Sequence, residues 1–99
     1  MIIKSSGKLG ASALIFTGSC FLIGVSFTGD IANIPTLTVY DSITAANTAV
    51  AFLRASSTIA DVTNPTVTIM FPEKGLFCAS GIYAALSAET GDYIIYYSL

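Results

Sequence analysis

The chain has 99 residues, 54% of them hydrophobic and only 10% charged, with no histidine, no tryptophan and a formal net charge of −2. Without histidine it lacks the usual proton carrier near neutral pH and the commonest metal ligand. Its four cations, Lys4, Lys8, Arg54 and Lys74, are too scattered for a phosphate-binding footprint, so an enzyme and a nucleic-acid binder are the least expected classes. An ordinary soluble domain is about 25% charged, and the shortfall implies apolar surface covered by copies of the chain, by another protein or by lipid.

This length makes a single domain over 1–99, with residues 1–12 read as an extended N-terminal arm. Beyond Lys8, the stretch from Leu9 to Gly29 carries no charge. Three readings compete for it. A basic start before an apolar run resembles a secretory signal, although Thr17 stands three residues before Cys20 where a lipoprotein site wants an aliphatic. The length also suits a membrane helix, against which stand Gly10, Gly18, Gly24 and the hydroxyls of Ser12, Thr17, Ser19, Ser26 and Thr28. The favoured reading is two strands, Ala13–Thr17 and Cys20–Thr28, punctuated by Gly18-Ser19, with Val25 and Phe27 on one face.

A loop from Asp30 to Pro35 precedes the clearest strand, Thr36–Tyr40, where Leu37 and Val39 alternate with Thr36, Thr38 and Tyr40. Asp41 opens a loop through Asn47, its side chain suited to bonding back to local backbone. Thr48–Arg54 reads as a strand, with a short helix over Ala45–Ala55 as the alternative. Ser56–Pro65 is a polar loop, Thr66–Phe71 a strand and Pro72-Glu73-Lys74-Gly75 a turn. Leu76–Ser87 breaks at Ser80-Gly81, and Glu89–Asp92 turns into a last strand, Tyr93–Leu99, so that residues 82–98 are expected to form a hairpin. The fold class is all-β: a small antiparallel β-sandwich or jelly-roll-like barrel of seven to eight short strands. Leu37, Val39, Phe52, Val67, Ile69, Phe71, Ile82 and Leu86 are the expected core.

Few residues carry chemistry. Ser5-Ser6-Gly7-Lys8 has the Ser-x-x-Lys spacing of serine acyltransferases but no partner motif. Cys78 has no histidine to activate it, and Cys20 and Cys78 read as buried thiols, with a bridge between them left open. Asp61, Glu73, Glu89 and Asp92 sit in turns without the dense spacing of a calcium loop. No catalytic residue, cofactor site or metal site is expected. The tyrosines stand out. Tyr93 and Tyr97 share one face of the last strand and Tyr96 takes the other, while Tyr40 and Tyr83 lie on other strands. One face must be core and the other is available to a partner, which makes Tyr93, Tyr96, Tyr97 and Tyr40 the candidate interface residues; the competing reading is that tyrosine simply packs well on pleated sheets.

Leu37-Thr38-Val39-Tyr40-Asp41, Ala45-Ala46, Phe71-Pro72, Gly75-Leu76, Gly81-Ile82-Tyr83 and the terminal Tyr96-Tyr97 pair together resemble small β-rich virion proteins of tailed bacteriophages, over about residues 37–97. The resemblance implies a non-enzymatic structural protein on the capsid surface of the virion, of decoration, cement or minor capsid type. It would be a homo-oligomer, trimer or dimer, docked on the major capsid protein or other virion proteins; the scattered cations exclude nucleic acid as a partner, and a membrane is the less favoured one. Two rival readings stay open: a receptor- or glycan-binding knob of a fibre or tail, and an envelope protein anchored or secreted through residues 9–29.

Overall fold

The computed structural model of the chain describes residues 2–29, 35–46, 48–54, 66–87 and 91–99. Its strands are β1 (Lys4–Ser5), β2 (Ala13–Thr17), β3 (Cys20–Thr28), β4 (Thr36–Asp41), β5 (Thr48–Arg54), β6 (Thr66–Met70), β7 (Leu76–Cys78), β8 (Gly81–Leu86) and β9 (Asp92–Ser98). They form two antiparallel sheets. The first runs β1-β9-β3-β6, with β7 also on β3, and the second runs β2-β8-β4-β5. The apolar stretch after Lys8 is therefore strand, as favoured: β3 is the central, longest strand of the first sheet. Among the described residues no helix is long and apolar enough to cross a membrane.

The strand order has a simple origin. The pairs β4·β5, β3·β6, β2·β8 and β1·β9 are nested like the two arms of one long hairpin whose tip lies between β4 and β5. Rolling that hairpin sends alternate pairs to alternate sheets, and the added pairings β3·β9 and β4·β8 stitch each sheet together. This is jelly-roll connectivity in a two-sheet sandwich, without closure into a barrel.

The core lies between the sheets. Leu22, Val25, Phe27, Tyr93 and Ile95 from the first meet Leu37, Val39, Leu53, Ile82 and Ala84 from the second. Each such buried aliphatic or Phe side chain contributes about 1.5–3 kcal/mol relative to exposure. Val67, Ile69, Phe71 and Leu86 pack around that centre, partly buried. Phe16 and Tyr97 bridge the sheets with ring centroids 5.7 Å apart.

Two expectations are corrected. Phe52 is 64% exposed, not core. The alternation of β5 breaks at Val50, because Val39 pairs with Ala51 while Tyr40 pairs with Ala49. Leu53, opposite Leu37, takes the core position and Phe52 points out beside Thr38. Residues 82–98 are not a hairpin either: β8 pairs with β2 and β4, whereas β9 pairs with β1 and β3 in the other sheet. The expected loops over 30–34, Asn47 and 55–65, and residues 88–90 of the last turn, lie outside the described residues, and with them Asp61 and Glu89.

Candidate functional site: the outer faces of the two sheets

Each sheet has one face on the core and one turned outward, and the outward faces are unusually apolar. On the second sheet, register places Leu14, Tyr83, Tyr40 and Ala49 in one row, and Ala85, Thr38 and Phe52 in the next. Leu14 and Phe52 are both largely exposed. Neither row holds a charge, and Arg54 follows opposite Thr36 in the row beyond Phe52.

The outer face of the first sheet is graded. At one end Phe77 lies opposite Phe21, ring centroids 5.4 Å apart, and Phe21 lies opposite Ser98. The next row is Met70, Gly24, Tyr96 and Ser5. Gly24 is needed for space: a β-carbon there would run into the Met70 side chain and stand 2.9 Å from the Ile69 carbonyl oxygen. Phe77 and Met70 are both more than half exposed. Toward the other end the face turns polar. Ser26 and Thr68 hydroxyls are 3.2 Å apart, Thr28 and Thr66 are 2.9 Å apart, and Lys8 pairs with Asp92 at 3.6 Å. A shallow cleft of about 210 Å³ opens there between Lys8, Ser26, Thr28, Asp92, Tyr93 and Ile94.

The sheet edges are each interrupted. In the first sheet β1 is only two residues long, and the opposite edge is split into β6 and β7 by Phe71–Gly75. That split faces a bulge at Ile23, whose carbonyl accepts the Phe71 N–H at 2.9 Å. Gly75 closes it at φ 88°, where a β-carbon would run into the Leu22 carbonyl and a side chain has no room. In the second sheet β2 carries a bulge at Ile15 and β5 one at Val50. Short strands, bulges and a turn bearing Pro72, Glu73 and Lys74 are the devices that discourage strand addition at an edge. The exposed apolar side chains Leu14, Phe52, Met70 and Phe77 lie on the faces of the sheets.

The four nominated tyrosines separate. Tyr40 and Tyr96 lie on the outer faces of the second and first sheets, half-buried among Tyr83 and Ala49, and beside Gly24 and Ser5. Tyr97 faces inward against Phe16. Tyr93 is a core residue, 1% exposed, and its hydroxyl donates to the Ala11 carbonyl at 2.6 Å. Burial pushes its phenol up to about 12. In the folded chain the ring and hydroxyl of Tyr93 are therefore taken up by the core and the Ala11 carbonyl. Phe77, Met70, Phe21, Leu14 and Phe52 carry the outward apolar surface instead. Leu76, Phe77 and Cys78 are all apolar, so the sequence carries no signal that Phe77 is the one turned outward.

Asp41 ends β4 and reaches across to the corner after β7. Its carboxylate accepts the N–H groups of Ala79 at 3.1 Å and Ser80 at 2.9 Å. Cys20 and Cys78 lie beneath, directly opposite one another in the β3·β7 pair, both free and buried. Desolvation, then the Asp41 charge, raises both thiols above their ordinary range, Cys78 to about 11. Among the described residues no three His, Cys, Asp or Glu side chains gather as metal ligands. Compared with models of known protein families and with curated proteins, the chain matches none.

Proposed function

We propose that the chain is a non-enzymatic structural subunit of a tailed-phage virion, a decoration or cement protein that self-associates as a trimer or dimer and binds the major capsid protein. The observation that carries the reading is the placement of Leu14, Phe52, Phe77 and Met70 on outer sheet faces while every sheet edge is interrupted. Exposed apolar side chains gathered on faces are the mark of contact surfaces. The resemblance of residues 37–97 to small β-rich virion proteins supports the same reading. The jelly roll is compatible with it, since that architecture serves viral capsid proteins, but it serves lectins and cupins too and decides nothing alone. The test is mass spectrometry and immunogold labelling of gradient-purified particles. A fixed copy number per particle is expected, with label on the outer surface. Absence from purified particles overturns the reading.

A second reading rests on the polar end of the first sheet. Lys8, Asp92, Ser26 and Thr28 line a cleft whose hydroxyls and charges suit a sugar, as in a fibre or tail knob. Glycan-array binding by the full chain, lost on substituting Asp92 with Ala, would favour it.

A further inference from the structure

We propose that Cys20 and Cys78 form a disulfide site, a cross-strand pair that a thiol oxidant closes to fasten β7 onto β3. The register Cys20↔Cys78, Phe21↔Phe77, Leu22↔Leu76 sets the two cysteines directly opposite each other with both side chains on the core face. Directly opposed residues of an antiparallel pair have α-carbons about 4.5–5.5 Å apart, within the roughly 4.4–6.8 Å span that a disulfide bridges. The β-carbons must approach a little, and the place allows it. β7 is three residues long, at a sheet edge, and bounded by Gly75 and the Ala79-Ser80 corner, so it can shift without displacing a central strand. On the opposite face the Phe21 and Phe77 rings hold the same register from outside.

Closure is a two-electron oxidation. The thiolate of one cysteine attacks a small disulfide such as oxidised glutathione and expels one glutathione thiolate. The second cysteine then attacks the mixed disulfide and expels the other, leaving one Cys20–Cys78 bond, two reduced glutathiones and no net change in protons. Burial and the Asp41 charge disfavour the thiolate in the closed structure, so exchange proceeds when β7 lifts from β3. Once formed, the bond ties the β7 edge, the Asp41-bonded corner and the outward Phe77 to the central strand.

The experiment equilibrates the full chain in glutathione redox buffers, folded and in guanidinium. Equilibrium is approached from both the reduced and the oxidised protein. Thiols are trapped by alkylation and the products read by non-reducing peptide mass spectrometry. If the fold holds the pair in bonding geometry, the intramolecular disulfide-to-dithiol ratio at a given buffer is at least about tenfold higher folded than unfolded, because whatever the fold does for the bond the bond does for the fold. The melting temperature of the oxidised chain then exceeds that of the reduced chain, and Cys78→Ser abolishes the difference while keeping the β-sheet spectrum. A ratio equal to or below that of the unfolded chain overturns the proposal, as does a product linked only between chains.

Discussion

Tyr93 ties the first sheet to the N-terminal arm: its hydroxyl donates to the Ala11 carbonyl at 2.6 Å from a ring buried in the core, while its backbone exchanges two hydrogen bonds with Leu9 at 2.9 Å. Tyr93→Phe keeps the ring and removes one hydrogen bond, so a loss of about 1 kcal/mol is expected in denaturant unfolding. The same residue sets an alkaline limit. Its phenol is raised from 10 to about 12 in the fold, so between those values the unfolded chain gives up a proton that the folded chain keeps. Stability is unaffected by this group below pH 10 and falls as pH rises to 12. Melting curves across that range should show a smaller decline for Tyr93→Phe than for the parent; parallel declines would show that the phenol is not responsible.

Asp41 is the link between the end of β4 and the corner after β7. Replacing it with Ala removes two bonds to a charged acceptor but leaves the exposed Ala79 and Ser80 N–H groups open to water, and should cost about 1 kcal/mol. Asp41→Asn tests the charge. Burial raises both thiols most and the Asp41 carboxylate adds to it, so removing the charge should move the pH midpoint of Cys78 alkylation downward. An unmoved midpoint would show that the Asp41 charge plays no part in the raised thiol.

Ser98 is buried opposite Phe21 with its hydroxyl unpartnered among the described residues. A buried hydroxyl without a hydrogen bond is a cost, so Ser98→Ala should stabilise the fold by about 1 kcal/mol. For a domain of this size that is a melting-point rise of roughly 4–8 °C. A lower melting point would mean that the hydroxyl has a partner.

Gly24 and Met70 share one space on the outer face of the first sheet. Gly24→Ala should destabilise by about 1–3 kcal/mol, as overpacking does. Met70→Ala should recover part of that loss, with a coupling of about 0.5–3 kcal/mol in a double-mutant cycle. The recovery stays partial because the Ile69 carbonyl oxygen, which is backbone, also crowds the new methyl. Strict additivity would place Met70 elsewhere.

Much of the fold is legible in the chain because a half-buried strand writes a period of two. Leu37 and Val39 against Thr36 and Thr38 is the clearest case, and both are fully buried. What fails is information carried by other strands. Phe52 looked like core by size, but the face of β5 is chosen by the partners of Leu53 and Ala51, and the bulge at Val50 hides the phase. The hairpin expected over residues 82–98 fails for a similar reason. Turn chemistry near Gly91-Asp92 marks a reversal, yet which sheet receives β9 depends on β1 and β3, far away in sequence. The tyrosines show the same limit, since Tyr96 and Tyr97 are neighbours in the chain and lie on opposite faces, and only packing shows which face is core.

The proposed virion role requires assembly through the sheet faces, and size-exclusion chromatography with light scattering tests that most directly. The full chain, in buffer without detergent, is run beside Phe52→Glu and Phe77→Glu, one variant for each outer face. The account predicts a discrete dimer or trimer for the parent, and a shift toward monomer in at least one variant with the fold intact by circular dichroism. A parent that stays monomeric at every concentration, or an oligomer indifferent to both substitutions, would contradict it.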